Sequence, residues 1–499
     1  MLLFKCSNTR GKILMDVVLL TSVAPVTGHA NMYRGLGSYQ IAWYLRQFGY
    51  EVQVIDFLKF IPEEDIMQAL RKYVTQETKI VGLGLLTVPS QHPDLYIKLA
   101  SVLARVRDEF PWVKIVGGGP TGNRFDQDFR RKTFDYICVG HAEDSMLALT
   151  NHLVRGGPAP MFELSPLTGN KIIKESLTMP VDAKFDIQHC RHTWHERDFI
   201  QPGEALPIET TRGCIFKCKF CAYPLIGKNK RDFLRDMELI KEEMISNYEK
   251  YQTTNYYLLD DTFNADKERL EEFAKMTKTL PFKIRYATYL RLDLIEAHRH
   301  TEDMLLESGL LGAFFGIESF NPEAALMIGK AFSGKKAKDY LPELYGKWKN
   351  DISVFLAFIV GFPQDTFEDC QATNQWCADL GVNGWGWNAL YLSSNKVNEW
   401  SSEFERNAAE YGYTFVKKNA WVSATSSYET ALKQSLQLRE EAGPYQRISS
   451  WSIPEVLNYG HFNDKNILQA TVREVEYGGL MRDLRTAWIK RYWSQLMNG

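Results

Sequence analysis

Pro207-Ile-Glu-Thr-Thr-Arg-Gly-Cys214-Ile-Phe-Lys-Cys218-Lys-Phe-Cys221-Ala-Tyr-Pro224 is the stretch that decides how this chain is read. Pro207 to Thr211 is a short run fit for a buried strand, and it opens directly into a loop holding three cysteines with gaps of three and two residues. Thiolates at that spacing can hold three irons of a 4Fe-4S cluster and leave the fourth iron to a ligand that the protein does not supply. Structural zinc is the competing reading. Such zinc sites usually close with four protein ligands in two pairs, and no fourth cysteine or histidine follows nearby on the C-terminal side.

Downstream of the cysteines the pattern keeps alternating between strand and helix, with polar residues at the strand ends. A helix is expected over 231–249. Tyr256-Tyr-Leu-Leu-Asp260-Asp261-Thr-Phe-Asn264 places two carboxylates at the end of a second strand, which also suits a capped turn into the next helix. Phe282 to Arg291 alternates as a third strand, and Gly312 to Glu323, with Glu318 and Ser319, supplies a fourth. Val354 to Asp369 contains a fifth strand running into Gly361-Phe-Pro-Gln364-Asp365-Thr, and Gly384 to Leu392 a sixth. Six such strands fit a partial (β/α)6 barrel, whose active site lies at the carboxyl ends of the strands.

Upstream, residues 1–150 alternate in the same way. Strands are expected at Asp16-Val-Val-Leu-Leu-Thr, Glu51 to Asp56, Ile80 to Leu86, Val113 to Gly117 and Tyr136 to Gly140, with helices over 38–48 and 94–108. This order implies a Rossmann-like doubly wound parallel sheet with ligands at the strand ends. Gly117, Gly118 and Gly119 lie at one such end, where bare backbone can approach a bulky ligand or simply make a tight turn. Residues 151–200 read as a linker, and the His189-Cys-Arg-His-Thr-Trp-His195 run within it matches no recognised metal spacing. The barrel occupies 201–392, and 393–499 reads as a mainly helical C-terminal region with scattered tryptophans that suit an ordinary core. Cys370 and Cys377 read as core thiols of one helix, and no second cysteine group suggests an auxiliary cluster.

Composition bounds the setting. With 499 residues, two or three domains are expected, since single cores rarely exceed ~250–300 residues. A formal charge of −2 gives no global pull toward nucleic acid or an anionic surface. Eight scattered cysteines do not form a secreted disulfide framework, and an exposed cluster needs a reducing compartment, so a cytoplasmic setting is expected. No apolar run reaches the ~20 residues that span a bilayer, so no membrane partner is expected.

The cysteine run resembles the signature of the radical S-adenosylmethionine (SAM) superfamily. That resemblance implies that Cys214, Cys218 and Cys221 hold a 4Fe-4S cluster, that SAM chelates the open iron, and that an electron cleaves it to a 5′-deoxyadenosyl radical. It implies further that Asp260 or Asp261 accepts from the SAM ammonium, and that Arg291 faces the active site. Glu318 and Ser319 would bond its ribose or methionyl part, with the backbone from Ile359 to Gly361 against adenine. An electron donor such as flavodoxin or ferredoxin is implied as well. Arg34 to Asp56, with the later glycine-rich and acidic turns, resembles the cobalamin-binding domain fused to many of these enzymes. Two departures stand out: no Asp-x-His-x-x-Gly motif supplies a cobalt ligand, His29 being out of context, and Gly140-His-Ala-Glu replaces Gly-Glu-Gly-Glu. The implied activity is cobalamin-dependent methylation of an unactivated carbon, with radical rearrangement or oxidative cyclisation, or a non-catalytic cofactor sensor, as alternatives. The substrate, whether a small metabolite, a peptide or a nucleic acid, is not legible.

Overall fold

The computed structural model describes residues 14–22, 32–84, 93–119, 133–161, 163–164, 171–174, 187–189, 192–221, 234–330, 334–394, 401–417, 420–443, 453, 457 and 474–499. Strands β1 (Val17–Leu20), β2 (Val52–Ile55), β3 (Ile80–Gly84), β4 (Lys114–Gly119) and β5 (Tyr136–Val139) form a parallel sheet in the order β2-β1-β3-β4-β5. The order reverses between β1 and β3, which opens a crevice at the carboxyl ends of the strands. Helices α1 (Leu36–Gln47) and α4 (Glu143–Arg155) cover one face, while α2 (Glu63–Tyr73) and α3 (Pro93–Glu109) cover the other. β1 and β2 are buried at every position because both faces are covered, so they read as continuous apolar runs rather than alternating ones.

Two short strands extend this sheet. β6 (Glu163–Leu164) and β7 (Lys171–Lys174) form an antiparallel hairpin, and β7 pairs in parallel with β5. Both strands fall in the stretch read as linker, and their brevity explains why no periodicity marks them. His192 and Trp194, from the same stretch, are buried with their rings 4.4 Å apart. Burial pushes the His192 imidazole down to about 3, which keeps it neutral.

The second sheet runs β13-β12-β11-β10-β9-β8 in strict sequence order, every pair parallel. Its members are β8 (Leu206–Ile208), β9 (Asn255–Leu258), β10 (Arg285–Leu290), β11 (Leu310–Glu318), β12 (Ser353–Val360) and β13 (Gly384–Ala389). Helix α5 (Met237–Tyr251) joins β8 to β9, and α6 (Lys267–Thr277) joins β9 to β10. α5 starts later than the sequence pattern suggests because Asp236 caps it, accepting from the Glu238 amide at 2.8 Å. Helices α7 (Gly334–Trp348) and α8 (Phe367–Leu380) complete the outer layer. Cys370 and Cys377 are buried on α8 as core thiols.

The C-terminal region divides between the two sheets. Helix α9 (Tyr428–Ala442) covers the edge of the barrel, where Arg439 Nε donates to the Trp387 carbonyl at 2.7 Å. A hairpin of β14 (Thr414–Lys417) and β15 (Ala420–Val422) adds strand to a region expected to be mainly helical. Helix α10 (Glu474–Asn498) returns to the first sheet, burying Trp488 and Tyr492 in the core under α2 and α3. Arg34 pins these parts together. Fully buried, it pairs with Glu204 at 2.6 Å and donates to Tyr39 Oη and the Asp198 carbonyl, both at 2.7 Å. Rings of Phe57, Trp194, Trp488 and Tyr492 surround it. None of the helices in the described residues is long and apolar enough to cross a membrane.

Candidate active site at the carboxyl ends of the barrel strands

β8 delivers the cysteine loop, and its end is fixed by buried polar groups. Asp260, at the end of β9, is fully buried and accepts from the Thr210 and Thr211 amides at 2.7 and 2.9 Å and from the Thr210 hydroxyl. Burial raises its carboxyl to about 6 against these donors. Arg235 Nη1 donates to the Glu209 carbonyl at 2.6 Å and pairs through Nη2 with Glu243 at 2.7 Å. The strand end is therefore clamped on the helix side, and the loop leaves it in one direction. Because its oxygens face Thr210 and Thr211, Asp260 positions the loop rather than reaching outward. Its neighbour Asp261 is exposed.

Cys214, Cys218 and Cys221 are all partly exposed on one short loop. Cys214 Sγ lies 3.3 Å from Thr262 Oγ1, and burial pushes its thiol up, so a thiolate there calls for a cation to balance it. Arg291, following β10, brings Nη1 to 3.6 Å from Cys218 Sγ. The guanidinium is oriented by a two-bond pair to Asp293 at 3.0 and 2.7 Å and by the Phe216 ring 3.9 Å from Cζ. Asn264 holds the Arg291 backbone at both its amide and its carbonyl, 2.9 Å each. Among the described residues, no three His, Cys, Asp or Glu side chains converge as they would on a single metal ion.

The neighbouring strand ends carry the remaining polar groups. Glu318 ends β11 in a left-handed conformation, φ 71°, beside a break in register with β12. Strain of this kind persists only where surrounding contacts enforce it. Here Lys330 Nζ holds the carboxylate at 3.0 Å and bonds the Gly316 carbonyl. A β-carbon on residue 316 would lie 2.5 Å from Glu318 Oε1, so a side chain there would displace the Glu318 carboxylate from its present position. Ser319 Oγ donates to Asp365 Oδ1 at 2.9 Å and accepts from the Asn321 amide at 2.9 Å, which ties β11 to the turn after β12. Burial raises the Asp365 carboxyl to about 7. A small hollow beside it, with about 10 Å³ of space, has room for about one water and lies among helix-side residues such as Cys370 and Trp387.

Gly361 is packed from the C-terminal side. It has φ 118°, its carbonyl accepts from Tyr413 Oη at 3.1 Å, and a β-carbon there would lie 2.8 Å from Trp421 Cζ2. The C-terminal hairpin therefore occupies the space beside it, and partly exposed Ile359 is the nearer candidate to face a ligand.

Sequence reasoning missed two further supports of the loop. From the C-terminal side, the Phe404 amide donates to the Lys219 carbonyl at 2.9 Å, and Lys219 Nζ sits 5.1 Å from the Tyr411 ring centroid. From the first domain, Glu143 and Gln40 bond Arg212 at 2.8 and 3.2 Å. The Glu209-x-x-Arg212 spacing beside the cysteines was the available signal for the second. In the first domain, Gly117, Gly118 and Gly119 end β4. Gly119 has φ 127°, and a β-carbon on Gly118 would lie 3.2 Å from the Cys138 carbonyl. His29 lies outside the described residues.

Residues 208–377 match the family described as the Radical SAM superfamily. An uncharacterized methyltransferase of Pyrococcus horikoshii is 28% identical over 177 residues, 35% of this chain and 37% of that protein. The bacteriochlorophyllide d C-12(1)-methyltransferase of Chlorobaculum tepidum is 25% identical over 245 residues, 48% of each chain. The chain thus spans less than half the length of these curated relatives. Among solved structures, the radical SAM methyltransferase TsrM of Kitasatospora setae, with cobalamin and a 4Fe-4S cluster bound, superposes with TM-score 0.67 at 15% identity over 95% of this chain and 100% of that one. The cobalamin-dependent radical enzyme OxsB superposes with TM-score 0.52 at 16% identity, covering 72% of this chain and 52% of that one. The two-sheet fold is shared with these proteins, and the three-cysteine loop at the end of β8 falls inside residues 208–377, the stretch that matches the Radical SAM superfamily.

Proposed function

We propose that this protein is a cobalamin-dependent radical SAM methyltransferase acting on an unactivated carbon. The observation that carries the radical half is the placement of Cys214, Cys218 and Cys221 at the mouth of a six-stranded barrel, with Arg291 directed at Cys218. The three thiols would hold the cluster, whose chemistry when bound is electron transfer to SAM. Asp261, Glu318 and the backbone near Ile359 are the groups this chain offers to orient SAM. Asp260, Asn264 and Lys330 keep the surrounding backbone fixed. Arg291 supplies a positive charge beside a thiolate. The protein's share of the chemistry is positioning and exclusion of water.

The methyl-transfer half rests on the first sheet. Its β2-β1-β3-β4-β5 order sets a crevice at the strand ends, where Gly117 to Gly119 and Gly140 present backbone without side chains. Those residues suit a bulky corrinoid, and both solved neighbours have cobalamin bound. The division into 1–150, 151–200, 201–392 and 393–499 is kept as the working domain plan, with a flavodoxin or ferredoxin as electron donor and a cytoplasmic setting. The test is anaerobic reconstitution with iron, sulfide and cobalamin, followed by SAM and reductant. Bound corrinoid with S-adenosylhomocysteine formation supports methyl transfer. Deoxyadenosine without S-adenosylhomocysteine, in the presence of substrate, would favour rearrangement or cyclisation.

A further inference from the structure

Arg212 stands two residues before Cys214, yet its side chain points away from the cysteines and into the first domain. It makes a two-bond pair with Glu209, Nε to Oε1 and Nη2 to Oε2, both 2.9 Å. Nη1 reaches Glu143 Oε1 at 2.8 Å, and Nη2 reaches Gln40 Oε1 at 3.2 Å. Gln40 Nε2 then closes the circuit on Glu209 Oε2 at 3.0 Å. Arg212, Glu143 and Gln40 are each buried. Glu143 begins α4, directly after the Gly140-His-Ala turn at the end of β5, and Gln40 lies on α1 at the β1 side of the crevice. One guanidinium therefore joins two helices of the first sheet to the strand that carries the cysteine loop.

Burying two carboxylates and a guanidinium is costly unless each is paired, and an apolar contact would glue two domains at lower cost. What a forked, fully paired ion network adds is direction, since Arg212 can satisfy all its partners in one relative placement of the two domains only. Glu143 could instead serve just to begin α4, where a negative charge suits the first turn. That role needs no partner on the barrel.

Resting on the function proposed above, we propose that Arg212 is a positioning residue, with Glu143 and Gln40 as its cross-domain partners, that fixes the cysteine loop relative to the crevice of the first sheet. Cofactors held on the two domains would thereby be kept at one separation, which sequential use of two cofactors on one substrate requires.

The test uses the full-length, anaerobically reconstituted protein and its Glu143→Gln variant, which keeps the shape and removes the charge. Gln40→Ala serves as a second variant that leaves every charge in place. Amide hydrogen exchange in the segment 210–221 should rise at least threefold in both, while exchange in β9 stays at the wild-type rate. At unchanged iron content, the electron paramagnetic resonance signal of the reduced cluster with SAM should broaden into more than one form, which a mere loss of stability would not produce. Exchange in 210–221 that rises less than threefold in both variants, or a change confined to residues 143–155, overturns the proposal. The underlying functional reading fails separately, if the wild-type protein assembles no SAM-cleaving cluster, because the exchange measurement does not depend on turnover.

Discussion

Trp421 stands directly over Gly361: a β-carbon on residue 361 would sit 2.8 Å from Trp421 Cζ2, and the indole Nε1 donates to the Leu390 carbonyl at 2.8 Å. The C-terminal hairpin is thus built into the rim of the barrel. Gly361→Ala meets both this contact and a φ of 118°, and should destabilise by about 2–4 kcal/mol. Trp421→Ala should cost about 3–5 kcal/mol by leaving a cavity. Urea unfolding at constant m-value measures both.

Asp260 and Asp261 should separate cleanly. Asp260→Ala leaves the Thr210 and Thr211 amides without their acceptor and should cost about 3 kcal/mol, with a fall in iron bound per chain. Asp261→Ala changes an exposed side chain, so its effect on stability should stay within about 0.5 kcal/mol. A weaker apparent affinity for SAM in Asp261→Ala at unchanged melting would place it beside the ligand.

Arg291→Lys keeps a charge but loses the fork to Asp293 and the reach to Cys218. Charge-assisted bonds of this kind are worth about 1.5–3 kcal/mol, so SAM cleavage should fall roughly 10- to 100-fold. Kinetics at matched cluster content check it.

His192 gives the acid limb of stability a definite sign. Its folded value is about 3, below the ordinary 6.5, so the unfolded chain binds the proton more readily. The stability it contributes is complete above pH 6.5 and is lost as pH falls toward 3, at up to about 1.4 kcal/mol per pH unit. His192→Phe should flatten the dependence of unfolding free energy on pH in that window.

Particular residues show what was legible. Strands of the first sheet were readable because both faces are covered, which leaves apolar runs such as Val17 to Leu20; in the second sheet Val354 to Val360 reads in the same way, whereas Phe282 to Arg291 was read from its alternation. The cysteine spacing marked the loop that leaves the end of β8. β6 and β7, of two and four residues, left no pattern. The roles of Glu143, Gln40 and Phe404 were hidden because each meets the cysteine loop from far along the chain, and no local rule reports such contacts. Asp260 and Gly361 were read as SAM contacts, and the packing of Asp260 against Thr210 and of Gly361 against Trp421 is a tertiary fact that their motifs do not express.

The central claim is that Cys214, Cys218 and Cys221 carry a SAM-cleaving cluster. The most direct measurement is 5′-deoxyadenosine formed by the reconstituted, reduced protein with SAM, beside a Cys218→Ala control. The account predicts deoxyadenosine from the wild type and none from the control. A fully loaded cluster that binds SAM and yields no deoxyadenosine, with or without candidate substrates, would contradict it and leave a non-catalytic cofactor sensor.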